Sequence, residues 1–298
     1  SKLMSPTLFQ ILVLGAVQGA AELLPVSSSA HVIAAERLMK LDPSSPEMTF
    51  LLIMLHTGTM FAVVAYFWDA WRRTYFSSAA AFTHAVMRVL VATVATGVVF
   101  AGLNYLIKKI VFHGRTGAEV EDLFSNLYLI AASLAAVGVL IVVAGLRARS
   151  QGPEAASPGV DGRALPVAAA TWIGVVQGVC LPFRGLSRSG ATISAGMLLG
   201  ISRRASEEFS FALAVVLTPP VILRELMRLA HAHASAGGSL HLGTLTLPGI
   251  IGMLCSFAAG LGALKWLSGW LEKGRWHYFG FYCFAASAAV CALAANGY

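Results

Sequence analysis

The chain has 298 residues, 57% hydrophobic and only 12% charged, with a formal net charge of +7 and a mean hydropathy of +0.74. A soluble domain carries roughly a quarter charged residues, and several apolar runs here exceed the ~20 residues that cross a bilayer, which excludes a soluble domain. The surplus Lys and Arg fit loops facing anionic lipid better than nucleic-acid binding. Cys180, Cys255, Cys283 and Cys291 lie in apolar surroundings without disulfide or metal-ligand spacing.

In chain order, Ser1-Lys2-Leu3 is expected to be an addition ahead of Met4. Leu8 to Leu24 is apolar, but its weak basic flank argues against a signal peptide. It contains Val17-Gln18-Gly19 and runs into LLPVSSSAH, Leu23 to His31, before a second short apolar stretch that ends near residue 40. Spanning runs follow at 47–68, 82–107 and 123–146, then the flexible linker SQGPEAASPGVDG, Ser150 to Gly162. The pattern then recurs. Region 165–200 holds Val176-Gln177-Gly178 and the polar loop LPFRGLSRSGAT, Leu181 to Thr192, and spans are expected at 207–228, 246–271 and 276–296.

The predicted fold is therefore an all-α polytopic membrane protein with six transmembrane helices and two re-entrant helical hairpins in an inverted repeat. It forms one integral membrane domain over 1–298, with halves at 7–146 and 165–296 joined by the linker 147–164. Parity supplies the inversion. A hairpin returns to the side it entered from, and three spans cross to the other, so the second hairpin enters from the opposite face and both tips can meet near the midplane. Loops around 72–88, 147–163, 203–204 and 273–275 collect ten Lys and Arg against eight on the other side. That side is expected to be cytoplasmic, which puts both termini outside.

Polar breaks at membrane depth survive only where they are buried or line a cavity, and ionisable groups there point to function. Gln18 and Glu22 lie four apart and share one helix face. Ser27, Ser28 and Ser29 can cap the next helix, and His31 falls one turn beyond Ser28. A carboxylate, a hydroxyl and an imidazole are the parts of an activated nucleophile and its base; the plainer reading is a capped, kinked helix with His31 bonded to a carbonyl. In the second loop Arg188 stands between Ser187 and Ser189, with Gly185, Gly190 and Thr192 close by. Glycines admit a ligand to backbone N–H groups, and a guanidinium offers a bidentate fork, so this is a phosphate cradle by chemistry. The plainer alternative for Arg188 is a salt bridge to Glu22. Arg184 could snorkel or pair structurally, and His56, in the first span, reads equally as a cavity group or a satisfied core histidine. HAHASAGGSLH, with His231, His233 and His241, could bind metal adventitiously but reads better as a solvated loop, and Glu207 and Glu208 read as capping and loop pairing with Arg203 and Arg204.

With both loops read, the chain resembles the undecaprenyl-diphosphatase family, the bacterial bacitracin-resistance membrane phosphatases. The first family signature, Glu or Gln followed four residues later by Glu, matches Gln18 and Glu22 and continues into Leu24 to Ser28 and His31. The second appears as GLSRSGAT, Gly185 to Thr192, and the similarity runs on through SAGMLLGISRRASEEFSFALAV. Arg184 departs from the pattern, because the family usually has Pro directly before that Gly; His56 stands where Gln is frequent. The resemblance implies hydrolysis of undecaprenyl diphosphate to undecaprenyl phosphate and inorganic phosphate, which recycles the lipid carrier for cell-wall glycans and confers bacitracin resistance. It implies a catalytic set of Glu22, Ser28, His31 and Arg188, and substrate contacts from Gln18, Ser27, Ser29, Ser187, Ser189, Gly190 and Thr192. A divalent cation, Mg or Ca, is expected on Glu22 and Gln18. The expected partners are the polyprenyl diphosphate lipid, the bilayer and a second copy in a homodimer, with no nucleic acid. The expected setting is the bacterial cytoplasmic membrane, with the site opening to the periplasm. The alternative is an inverted-repeat transporter or flippase of a phosphorylated lipid or anion, and the residues leave open whether Ser28 or His31 attacks phosphorus.

Overall fold

The computed structural model describes residues 6–42, 45–110, 126–150, 165–236 and 242–296. Among them are ten helices and no strand: α1 Leu8–Leu23, α2 Ser28–Leu38, α3 Pro46–Thr74, α4 Ala79–Ile110, α5 Leu127–Ser150, α6 Val167–Cys180, α7 Arg188–Leu198, α8 Arg203–Ala236, α9 Leu242–Glu272 and α10 His277–Ala295. Residues 151–164, most of the expected linker, and 111–125, which include the first three positions of the expected span 123–146, lie outside the described residues.

Six helices, α3, α4, α5, α8, α9 and α10, are long and apolar enough to cross a membrane. Four of them, α3, α4, α8 and α9, overrun the expected apolar runs at both ends and α5 at its C-terminal end, whereas α10 lies within its run. Helix α3 continues through Trp71, Arg72 and Arg73 to Thr74, because Trp and Arg suit the interfacial zone and nothing there breaks a helix. Helix α8 continues through Pro219 and Pro220. Pro deprives a helix of N–H donors, and beside that pair the Thr218 hydroxyl donates to the Ala214 carbonyl at 2.7 Å. On α4, Val86, Leu90, Val94 and Val98 recur every fourth residue and are exposed, a stripe suited to lipid. The remaining helices are short. At 1.5 Å per residue, the 16 residues of α1 extend about 24 Å and the 11 of α7 about 16 Å.

Contacts group the chain into two compact units. The first comprises 1–24, 28–67 and 214–266. Its core is Ile11, Leu14, Val32, Met48, Leu51 and Leu55. Thr7 caps α1 with a reciprocal box: its hydroxyl accepts from the Gln10 N–H, and the Gln10 side chain accepts from the Thr7 N–H at 2.8 Å. The Gln10 amide also donates to the Met39 carbonyl at 3.3 Å, so the start of α1 lies beside the end of α2. Small residues let α1 approach α9 closely, and a Cβ on Gly19 would fall 2.5 Å from the Ser256 carbonyl oxygen.

The second unit comprises 25–27, 68–213 and 267–298. Here α6 packs on α4 in the same manner: a Cβ on Gly178 would lie 2.7 Å from the Thr96 carbonyl, and one on Gly174 would meet the Ala92 backbone. Thr96 Oγ1 donates to the Gly174 carbonyl at 2.9 Å and accepts from the buried Gln177 amide at 3.1 Å. One end of this unit is knitted together by Arg203, whose guanidinium donates to the carbonyls of Ala148 at 2.8 Å and Glu272 at 3.2 Å. Nearby, the Trp71 indole donates to the Glu208 carbonyl at 3.2 Å. A cavity of about 40 Å³ is lined by Leu165, just before α6, and by Ala205, Arg88, Tyr75 and Glu208. Leu165 and Ala205 sharing one cavity puts the beginning of α6 and the beginning of α8 at the same end of the unit.

The close α6–α4 crossing makes a prediction. Gly174→Ala should lower the thermal midpoint of the detergent-solubilised protein, at a cost of about 1–3 kcal/mol for overpacking. Gly97→Ala, where an added Cβ meets nothing within 4 Å, should be neutral or stabilising in the same melt.

Candidate active site

The first loop is built by α1 and α2. Gln18 and Glu22 sit on one face of α1, as their spacing requires, and Gln18 and Ser28 both turn toward one oxygen of the Glu22 carboxylate. Gln18 Nε2 donates to Glu22 Oε2 at 3.3 Å, and the Ser28 hydroxyl donates to that same oxygen at 2.5 Å. Gln18 is 1% exposed, whereas Glu22, Ser28, Ser29 and His31 are half-buried. A short O–H···O⁻ contact is among the stronger hydrogen bonds available to a side chain. The Ser28 proton therefore points at the Glu22 carboxylate. His31 is on α2, in the turn that begins with Ser28.

Between the two helices, Pro25, Val26 and Ser27 belong to the second unit. Ser27 has φ of +66° and is buried. A serine in the left-handed region stores roughly 1–3 kcal/mol of strain, which persists only where the surroundings over-determine the backbone. Two contacts do so at this tip. The Cys283 thiol on α10 donates to the Pro25 carbonyl at 3.3 Å. On the other side Gly190 leaves the room that Pro25 occupies: a Cβ there would come 3.0 Å from the Pro25 Cβ and 2.9 Å from Ile141 Cδ1. Sequence reasoning missed Cys283, because a lone cysteine in an apolar helix signals only packing.

The second loop lies wholly in the second unit. Gly185 has φ of +104°, and a Cβ on it would fall 2.5 Å from the Ile130 carbonyl oxygen, so both backbone and space require glycine. Ser187 is the N-cap of α7 and accepts from the Gly190 N–H at 3.2 Å, with the Ser189 hydroxyl 3.3 Å away. Arg188 is the first residue of α7. A cation at a helix N-terminus faces the positive end of the dipole, an arrangement that an anion held there would relieve. Arg188 and Arg184 are half-buried. Thr192 is fully buried and donates to the Arg188 carbonyl at 2.7 Å. His56, the ambiguous span histidine, places Nδ1 2.8 Å from the Leu52 carbonyl, and Arg204 pairs with Glu208 at 2.9 Å.

Glu22, Gln18 and Ser28 offer one carboxylate, an amide and a hydroxyl, with the Gln18 amide nitrogen and the Ser28 hydroxyl both directed at Glu22 Oε2. Hard oxygen donors with a single charge suit Mg or Ca shared with substrate phosphate oxygens, not a dedicated protein cage. Among the described residues, no group of three or more His, Cys, Asp or Glu side chains could hold a metal ion.

Six long apolar helices alternating with two pairs of short ones define a multi-pass membrane protein. Its sequence matches the model of the family described as bacitracin resistance protein BacA over residues 11–289, and the chain belongs to that family. It is 55% identical to a protein of Acinetobacter baylyi named undecaprenyl-diphosphatase 2, over 96% of this chain and 98% of that one. Proteins named undecaprenyl-diphosphatase from Desulfosudis oleivorans and Thermus thermophilus are each 31% identical. They cover 92% and 94% of this chain, and 94% and 95% of their own lengths.

The strained tip yields a prediction. Ser27→Gly should raise or leave unchanged the melting temperature, while Ser27→Val should lower it by the equivalent of about 1–3 kcal/mol, since a β-branched residue tolerates positive φ poorly. Circular-dichroism melts in detergent read both.

Proposed function

We propose that this chain is an undecaprenyl-diphosphatase that hydrolyses the lipid diphosphate to undecaprenyl phosphate and inorganic phosphate. Family membership and the names of its relatives support the substrate. The observation that carries the chemistry is the 2.5 Å hydrogen bond from Ser28 to Glu22. A serine hydroxyl is a poor nucleophile until a base takes its proton, and here the proton already points at a carboxylate. Ser28 Oγ attacks the terminal phosphorus, its proton passes to Glu22, and the P–O bond to the bridging oxygen breaks to release undecaprenyl phosphate. Water, activated by His31, then cleaves the phosphoserine and frees phosphate. Gln18 orients Glu22 through its amide. A Mg or Ca ion held by Glu22 and Gln18 would neutralise diphosphate charge.

In the second loop Arg188 is the group that grips phosphoryl oxygens, assisted by Ser187, Ser189 and the backbone about Gly190; in the first, Ser27 and Ser29 are read as phosphate contacts. Within the second unit Pro25 packs against Gly190. Both pairs of short helices are read as re-entrant. The Gln10–Met39 bond and the shared cavity of Leu165 and Ala205 each support entry and exit on one side. The matched crossings of α1 on α9 and α6 on α4 support an inverted repeat. With positive loops inward, the Arg203 end is cytoplasmic, the termini are periplasmic, and the site opens outward from the bacterial inner membrane.

Purified protein should release phosphate from undecaprenyl diphosphate; transport of intact lipid without release would favour a carrier instead. Ser28→Ala should bind substrate but not turn over, and a trapped phosphoenzyme should be acid-stable. An acid-labile adduct on His31 would move the nucleophile there. Arg188→Lys keeps the charge but loses the fork, and turnover should fall at least about 10²-fold, the scale of a lost oxyanion donor.

A further inference from the structure

The backbone that presents Arg188 is tied to α8 by a pair of hydroxyls. Thr192 and Ser210 are both fully buried, and their oxygens lie 2.6 Å apart. Thr192 Oγ1 is also 2.7 Å from the Arg188 carbonyl oxygen, an atom that can only accept. Thr192 has one hydroxyl proton, and that carbonyl takes it. The proton in the short bond between the hydroxyls therefore belongs to Ser210. The order is fixed: Ser210 donates to Thr192, and Thr192 donates to the Arg188 carbonyl. Both the donor and a lone pair of Thr192 are thereby committed inside the protein.

Helix packing holds the donor in place. Helices α7 and α8 run antiparallel in close contact, and a Cβ on Gly196 would fall 2.5 Å from Ser206 Oγ. Four residues back on α7 and four forward on α8 bring Thr192 opposite Ser210. Phe209 and Phe211, on either side of Ser210, are 3% and 0% exposed, which locks the register of α8.

We propose that Ser210 is a positioning residue for Arg188, and that Thr192 acts through the same relay instead of touching phosphate. The inference rests on the reading of Arg188 as the phosphoryl clamp. Removing Ser210 leaves Thr192 with an unfilled buried acceptor and frees the first turn of α7 to shift. Small displacements of a group that must meet the transition state cost up to about 10²-fold.

A double-mutant cycle tests this with detergent-solubilised full chain. Ser210→Ala and Thr192→Val should each lower kcat by about tenfold with little change in KM and with melting temperatures near the parent's. The double variant should be no slower than either single one, because partners in one relay are non-additive. Thr192→Ser, which keeps the hydroxyl, should restore most of the turnover. Normal kcat in Ser210→Ala beside an impaired Thr192→Val would overturn the proposal, as would losses that multiply in the double variant. Should Ser210→Ala fail to fold, Ser210→Cys keeps the volume with a weaker donor and carries the same expectations. If the parent chain releases no phosphate, the phosphatase reading fails by itself. The relay is then read from the upward shift in melting temperature caused by inorganic pyrophosphate. That shift should shrink alike in Ser210→Ala and Thr192→Val, and an undiminished shift in Ser210→Ala would refute the relay.

Discussion

Every backbone N–H and C=O in a hydrocarbon environment needs a partner from the protein itself, and the two interrupted places in this chain are where that demand is hardest to meet. Each break frees donors and acceptors that a continuous helix would satisfy. The second is closed by Ser187, which takes the Gly190 N–H, and by Thr192, which supplements the Arg188 carbonyl. The first is closed differently. Pro25 gives its carbonyl to Cys283, and Ser27 is held in a left-handed turn. Side chains that satisfy the interruption thus stand immediately beside the candidate catalytic groups.

Tight packing at small residues turns these loops into defined geometry. Within the first unit, Gly15 and Gly19 admit α9; within the second, Gly174 and Gly178 admit α4. Where lipid solvates apolar side chains as well as protein does, helices gain from close backbone approach and interhelical hydrogen bonds. Thr96 to Gly174 and Ser256 to Leu55 are bonds of that kind. Short helices then carry Glu22 and Arg188 at fixed registers, each within its own unit.

The chemistry divides by charge. One loop holds a carboxylate with a hydroxyl already hydrogen-bonded to it, and the other holds a guanidinium at the unfavourable end of a helix dipole. Neither arrangement is the most stable the local sequence could adopt: Arg188 opposes its own helix, and Ser27 is strained. Departures of this sort from local consistency concentrate at functional sites. Here they fall within the two loops that interrupt the short helices.

Much of this was legible in the sequence. The apolar runs exceed bilayer length, so six long helices follow from composition, and an i, i+4 pair on a helix must share a face, so Gln18 meets Glu22. Helix ends were less readable. Amphipathic residues such as Trp71 and Arg72 prolong a helix past the apolar stretch, and the prolines of α8 do not end it. Other features depended on neighbours distant in the chain. Ser28 bonds Glu22 because the Pro25–Ser27 turn folds α2 back on α1; Cys283 lies more than two hundred residues from Pro25. Thr192 meets Ser210 only because α7 and α8 pack with Gly196 against Ser206. Periodicity and spacing determine what a single helix presents on each face. Which faces meet, and which hydroxyl gives its proton to which acceptor, is decided by packing between helices, and only the tertiary structure holds that information.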